Sequence, residues 1–570
     1  MRHGYLMGML GIAVLCGCSK MQGVKQEGAV AAPPDLAAHS QEFRKEIIRV
    51  AEGVYVAVGF GLANSVLLEG RDGVVIVDTM ESAEAARPVK EAFEKISTKP
   101  VKAILYTHFH TDHTFGAKVM AEDDQPEIWA HESTTYWLNR VVTVTRETVY
   151  RRSMRQFGSL LPAEEFIHAW IGPRLVFEAK VTPALLLPSR TFSGERVELD
   201  ISGIRMVLIH APGETPDQII VWLPDKKVLL AADNFYKSFP NLYAIRGTAY
   251  RDVNLWVRSL DLMRELKPDH LVPLHTRPMA GADRIYETLT NYRDAIQYVH
   301  DQTIRGMNAG LLPEEIVRKV TLPPHLSSQP YLQEYYGTVA WSVRGIFDGY
   351  LGWFGGNATD LFPLPLGERA KRLADLAGGR QALWEKARQA FSAGDYQWTL
   401  ELADPLLQLD PENQEIRNLK GAALRGLGSR QTAATARNYY LTQAREEEGK
   451  LHLPKAPLTS DREMAHRIPL ESLFRSLAVR LDPEKSARVD QIVGFRFPDT
   501  GEAFSVHVRR GVAEIQPRFP DKPDIAVAVD SKVWKEMAAG IRNPVLTMGK
   551  DMKVEGGILN LIRFLKMFEE

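Results

Sequence analysis

Short β-rich runs separated by turns begin near Val50. "GVYVAVG", "NSVLLEG" and "GVVIVDT" are rich in Val, Ile and Leu and are divided by "FGLA" and "RDG", the signature of strands bounded by turn residues. "SAEAARPVKEAFEKI" then has helical spacing, and "VKAILYTH" returns to strand character and ends in a histidine cluster. The alternation continues through "RMVLIHAPG", "IIVWLP", "KVLLAAD" and "HLVPLH". Strands alternating with helices predict a layered α/β fold. Four runs end at a polar, potentially ligating group: His108, Glu214 just after "APG", Asp233 and His275. Such folds place their chemistry at the C-terminal ends of strands, so these groups predict one site assembled from strand ends.

The pattern changes further along. "SGERVELDISG" reads as turn and strand, and Ala282 to Asn308 as one helix. From Arg380 to about Glu448, small and apolar residues recur at helical spacing, broken at "AGDY" and "LDPEN". This stretch predicts paired antiparallel helices packed in the tetratricopeptide manner, roughly one or two units, too few for a solenoid. Scaffolding or oligomerisation is the use expected of them. A polar linker, "REEEGKLHLPKAPLTSD", follows. From about Ile468 the chain predicts a small α+β unit: an amphipathic helix, the alternating "DQIVGFRFPDTGEAFSVHVRRGVAEIQPR", and two closing helical stretches, "SKVWKEMAAG" and "MKVEGGILNLIRFLKMF". At 570 residues the chain exceeds one hydrophobic core, and its length suggests about three domains.

The N-terminus has a different pattern. "MRHGYLMGMLGIAVLCGC" places Arg2 and His3 before an apolar run and then small residues, the layout of a secretory signal. The run is too short to span a bilayer. "LCGC" resembles the bacterial lipobox, which implies cleavage before Cys18, lipid attachment to its thiol, and a periplasmic protein anchored to the outer membrane. Cys16 and Cys18 are the only cysteines. The mature chain then has no disulfide, no cysteine nucleophile and no thiolate metal site. "AVAAPPDLAAHS" reads as a tether. The composition is ordinary for a soluble globular protein, and the formal net charge of −1 gives no reason to expect nucleic acid as a partner.

The strongest chemical signal is "LYTHFHTDHTFG", with His108, His110, Asp112 and His113 inside six residues. His108 and His110 project to one side of an extended segment and can bind one metal. Asp112 and His113 lie beyond the turn and can reach a second. Imidazole and carboxylate suit zinc. Two metals about 3.5–4 Å apart share a water and lower its pKa towards neutrality.

This motif resembles the metallo-β-lactamase superfamily, whose fold is an αββα sandwich. Where that superfamily usually carries a Gly-His-Thr turn, the sequence reads "GET", Gly213 to Thr215. A glutamate there looks like the alkyl sulfatase branch. The resemblance implies two zinc ions, one held by His108, His110 and Glu214 and the other by Asp112, His113 and His275, with Asp233 bridging. Asp78 in "VIVDT" matches a structural aspartate. "SFPNLYAIRGTAYRD" is similar to the family segment that holds the sulfate group, which implies that Asn241 and Arg246 bind it with Arg251 close by. Asp112, Asp233 and Arg246 are the expected catalytic groups. "YYGTVAWSVRGIFDGYLGWFGGNATDLFPLPLGERAKRLADLAGG" is a more specific match to the same family. It departs from the family at Trp341 and Ser342, where a histidine-asparagine pair is usual.

The N-terminal pattern predicts a signal peptide over 1–18 and a tether over 19–45, and the resemblance, which covers about Val50 to the C-terminus, implies a catalytic domain over 46–320, an all-α dimerisation domain over 321–450 and a sterol-carrier-like α+β domain over 465–570. It implies a homodimer that hydrolyses an amphiphilic alkyl sulfate such as dodecyl sulfate, with a metal-activated water as nucleophile. Two other readings stay open. One is a hydrolase of the same fold acting on a lactam, lactone, thioester or phosphodiester. The other is a non-enzymatic periplasmic lipid carrier.

Overall fold

The computed structural model describes residues 31–142, 144–175, 181–456 and 462–569. The signal segment, Cys18 and most of the expected tether therefore lie outside the described residues. Among the described residues no helix is long and apolar enough to cross a membrane.

Two sheets form the centre of the region expected to be the catalytic domain. The first contains β1 (Glu46–Ala51), β2 (Val54–Val58), β3 (Ser65–Glu69), β4 (Val74–Val77), β5 (Val101–Leu105), β6 (Glu127–His131) and β7 (Arg190–Phe192), in that spatial order. Strands β1 to β4 are antiparallel, and β4 to β7 are parallel. The second contains β8 (Arg196–Ile201), β9 (Ile204–His210), β10 (Ile219–Leu223), β11 (Val228–Ala232), β12 (His270–Pro273) and β13 (Met279–Ala280). Only β11 and β12 pair in parallel there.

The two inner faces share one core, in which Val56, Val66, Val77 and Leu105 meet Met206, Leu208, Val221 and Val272. The helix Ala83–Glu94 covers the outer face of the first sheet through Ala85, Val89 and Phe93. The helices Val253–Glu265 and Ala282–Asn308 cover the second through Trp256, Leu260, Ile285 and Leu289. The result is the expected αββα sandwich. It also explains the sequence pattern. Strands β4 and β11, covered on both faces, are apolar at every position, whereas β8 alternates exposed and half-buried residues.

The helical region follows. Asp395 and Asn413 accept hydrogen bonds from the first turns of the helices Tyr396–Leu409 and Gln414–Ser429, so the "AGDY" and "LDPEN" breaks are capping sites. The last domain has a five-stranded sheet in the order β16-β15-β14-β17-β18, with β14 at Asp490–Phe497, β15 at Glu502–Arg509, β16 at Val512–Gln516, β17 at Ile525–Val529 and β18 at Met552–Glu555.

Two expectations are corrected. "MKVEGGILNLIRFLKMF" is not one helix: "MKVE" pairs with β17, and Gly556 and Gly557, at φ +95° and +94°, separate it from the helix Ile558–Leu565. An L-residue rarely adopts that backbone. The tether does not run to residue 45. Residues Pro34–His39 and Ser40–Phe43 form helical turns that bury Leu36 and Phe43, and Arg437 donates a hydrogen bond to the Ala31 carbonyl at 3.0 Å.

Candidate active site

Each candidate ligand sits just beyond a strand. Asp78 follows β4 with φ +56°, and the histidine turn follows β5. Glu214 follows β9, Asp233 follows β11, and His275 follows β12. Ala232, at φ +51°, coincides with a register irregularity between β11 and β12 and turns the chain into Asp233. Backbone of this kind costs of order 1–3 kcal/mol and clusters at functional sites. Gly116 closes the histidine turn against the Thr79 carbonyl, where a Cβ has no room.

The seven expected ligands converge, and none is more than 8% exposed. Three groups of ligating atoms each lie within 4.8 Å of one another: His108, His113 and Asp233; Asp112, His113 and His275; His110, Glu214 and Asp233. Asp233 Oδ2 lies 3.0 Å from His275 Nε2, 3.5 Å from His113 Nε2 and 3.6 Å from His108 Nε2. Asp112 Oδ2 lies 3.5 Å from His113 Nε2 and 3.6 Å from His275 Nε2.

The outer nitrogens are held from behind. His113 Nδ1 meets Asp78 Oδ2 at 2.6 Å, which bears out Asp78 as a supporting group. Thr107 Oγ1 donates to the same oxygen at 2.7 Å and lies 3.0 Å from His108 Nδ1. His275 Nδ1 is 2.8 Å from the Ile171 carbonyl. These partners place protons on the Nδ1 atoms and leave Nε2 lone pairs for the centre. His110 Nδ1 faces His108 Nε2 at 2.9 Å, and its Nε2 lies 3.1 Å from Arg246 Nη2.

A divalent cation fits this donor set. His113 Nε2, Asp233 Oδ1 and Glu214 Oε2 are buried without hydrogen-bond partners, although buried polar atoms are normally satisfied. Cations would satisfy all three.

The electrostatics of the protein alone agree. Burial lowers the His275 pKa, but Asp233 and Asp112 overcome it and push it up to about 9. Burial also opposes the charged form of His113, yet Asp233, Asp112 and Asp78 raise it well above the ordinary imidazole range. Burial pushes Glu214 up to about 7, against the pull of Arg251. A cation needs neutral imidazole and ionised carboxylate, so these protons must leave when it binds. Affinity therefore rises with pH through about 9, where His275 loses its proton. Calorimetric titration of metal-stripped protein in buffers of different ionisation heat is expected to show net proton release at neutral pH. An affinity independent of pH between neutrality and that value would contradict the protonation pattern.

The loop after Asp233 brings in the anion-binding candidates. The Asn241 backbone N–H donates to the Tyr236 hydroxyl at 2.8 Å, and the Tyr236 ring packs against that of Tyr336 with centroids 5.7 Å apart. Arg246 is half-buried, and its Nη2 reaches His110. Arg251, expected beside the sulfate, lies between Asn241 and Glu214. It is 3% exposed, forms an ion pair with Glu214 Oε1 at 2.8 Å and donates to the Asn241 carbonyl. Trp341 lies in the first turn of the helix Val339–Leu351, and its N–H donates to the Thr338 cap. Gly337, Gly345 and Gly349 let this segment approach Pro240, Tyr243 and Tyr250 closely, so it backs the loop that carries Asn241 and Arg246. Tyr236, Tyr336 and Gln156 were not singled out from sequence. Each joins the site through a contact that has no local spacing signal.

Comparison with known proteins fits these features into one family. Residues 58–275 match the metallo-beta-lactamase superfamily, 312–450 match alkyl sulfatase dimerisation, and 458–570 match the alkyl sulfatase C-terminal family. A linear primary-alkylsulfatase of Pseudomonas sp. (strain ATCC 19151) is 39% identical over 525 residues, 88% of this chain and 98% of the relative. The chain belongs to the alkyl sulfatase family. An (R)-specific secondary-alkylsulfatase of Pseudomonas sp. is 28% identical to this alkyl sulfatase over 86% of the chain and 76% of the relative. The solved structure of the stereoselective inverting sec-alkylsulfatase Pisa1 from Pseudomonas sp. superposes with a TM-score of 0.87 at 26% identity, covering 96% of this chain and 88% of that one. The lactam, lactone, thioester, phosphodiester and carrier readings are not favoured, because both regions beyond the catalytic domain match alkyl sulfatase families.

Proposed function

We propose that this alkyl sulfatase hydrolyses amphiphilic alkyl sulfates such as dodecyl sulfate to the alcohol and inorganic sulfate, using two zinc ions. The convergence of the seven ligating side chains beside Arg246 carries the reading. His108, His110 and Glu214 would hold one ion and Asp112, His113 and His275 the other, with Asp233 between them. Zinc, when bound, supplies Lewis acidity and a nucleophile at neutral pH.

The protein's own groups do the rest. Asp78 and Thr107 fix the tautomers of His113 and His108. Arg251 neutralises one oxygen of Glu214 and leaves the other free. Asn241 and Arg246 bind the sulfate, where a forked guanidinium suits a tetrahedral oxyanion and stabilises it as it departs. Trp341 offers no titratable proton, so it cannot replace the family histidine as an acid. A departing sulfate needs no such acid if the C–O bond breaks.

The test is release of inorganic sulfate from dodecyl sulfate, before and after chelation and with zinc restored. Turnover that is lost and then recovered supports the reading. A folded, zinc-loaded enzyme without turnover would refute it.

We also propose that the chain is a homodimer. Trp353, Phe362, Leu366 and Leu376 are 73%, 95%, 67% and 86% exposed within the region matching alkyl sulfatase dimerisation, and clustered exposed apolar side chains mark interaction surfaces. The wild type is expected to be dimeric by light scattering, and Phe362→Asp with Leu376→Asp monomeric. A variant that stays dimeric would move the interface elsewhere. Lipidation at Cys18 and an outer-membrane, periplasmic location complete the proposal, on the strength of the lipobox-like "LCGC". Labelled fatty acid incorporated by the wild type but not by Cys18→Ser is the expected outcome.

A further inference from the structure

The loop that carries Asn241 and Arg246 is held from two sides. The helix Val339–Leu351 backs it by close packing at its glycines. On the other side lies the helix Arg146–Phe157, which carries none of the ligands. Arg152 Nε and Nη2 donate to the Ile245 carbonyl at 3.1 and 2.6 Å. One turn later, Gln156 Oε1 accepts the Arg246 backbone N–H at 2.9 Å. Residues four apart share a helix face, so the two side chains grip both polar ends of one peptide unit, Ile245–Arg246, at the base of the Arg246 side chain. Gln156 is fully buried, and its Nε2 has no partner among the described residues. A side chain placed at that cost in a helix remote from the ligands calls for a specific use.

The same helix is itself braced. Arg155, between the two gripping residues, forms a bidentate pair with Glu446 at 2.7 and 2.9 Å. Glu446 belongs to the helix Ala434–Glu447, in the region matching alkyl sulfatase dimerisation. The hold on this loop therefore rests on a second domain.

We propose that Gln156, supported by Arg152, is the positioning residue for Arg246 and sets the enzyme's affinity for the sulfate group. The proposal rests on the reading of Arg246 as a sulfate binder. Gln156 acts through the backbone of Arg246: it fixes where the side chain departs from the loop, and so where the guanidinium meets the sulfate group. Without the hydrogen bond, the loop between Ala244 and Gly247 loses an anchor on one side while the packed helix remains on the other.

The test uses the full-length zinc enzyme with octyl sulfate as substrate and inorganic sulfate as inhibitor. Gln156→Met keeps volume and removes the acceptor. It is expected to raise KM and the sulfate inhibition constant together by about tenfold, in line with one lost hydrogen bond to a buried donor, with kcat, zinc content and melting temperature changed much less. Arg152→Lys, less buried and less disruptive, is expected to shift the same constants in the same direction by about threefold. In the Arg246→Ala background, Gln156→Met is expected to add nothing, because its effect passes through that side chain. Full additivity in the double variant would overturn the proposal. So would an unchanged inhibition constant in Gln156→Met while Arg246→Ala raises it. An unchanged constant in Arg246→Ala itself would refute the sulfate-binding reading of Arg246, and the positioning role would fall with it.

Discussion

Asp233→Asn is expected to lose at least one metal per chain and to slow sulfate release by on the order of 10³-fold or more, since metal-borne charge stabilisation of several kcal/mol is at stake. Asp233 touches three of the four imidazoles, at 3.0, 3.5 and 3.6 Å, and enters two of the three ligand groups. Asparagine preserves the volume. It replaces an ionised acceptor with a neutral amide, and one of that amide's two termini only donates. The histidines that Asp233 now holds charged would lose their counter-ion. The Asp233 carboxyl itself lies well below the usual carboxylate range because His275, His113 and His108 outweigh its burial. Metal analysis beside a sulfate-release assay checks the expectation. Full metal occupancy with turnover within tenfold of wild type would remove Asp233 from the bridging position.

The second large effect is at Arg246. Arg246→Ala is expected to lower kcat/KM for dodecyl sulfate by about 10²–10³-fold, the range for removing one donor aimed at developing charge, while metal content stays near wild type. Arg246→Lys is expected to recover only part of that loss, because an ammonium is a point charge and cannot present two parallel donors. Loss of metal in proportion to loss of activity would mean instead that Arg246 serves His110.

The sequence displays the local part of this site. His108, His110, Asp112 and His113 are legible because ligand spacing within one turn is a short-range property. Glu214, Asp233 and His275 are legible because apolar runs announce strand ends. Arg251 is different. Its partner Glu214 is 37 positions away, and nothing in "GTAYRD" announces that ion pair. Gln156 is hidden for the same reason, since its contact crosses 90 residues. "MKVE" shows the opposite failure. Its propensity is weak, and the decision to pair with β17 is made by the glycine break behind it and the open sheet edge beside it. The segment from Pro34 to Phe43 reads as tether because two buried apolar anchors, Leu36 and Phe43, are too few to form a pattern.

The contact between Arg246 and His110 links two binding events. Arg246 can only donate, so it meets the His110 Nε2 lone pair while the Nδ1 proton faces His108. If a cation takes the His110 Nδ1 lone pair, the proton must sit on Nε2, and the contact becomes donor against donor. The guanidinium is then free for an oxyanion. If Arg246 binds sulfate as proposed, metal loading and sulfate binding would favour each other, and by reciprocity sulfate would tighten the hold on metal by the same factor that metal tightens the hold on sulfate. On the proposed role of Arg246, the metal-free enzyme would keep that arginine occupied by His110, and loading would make it available.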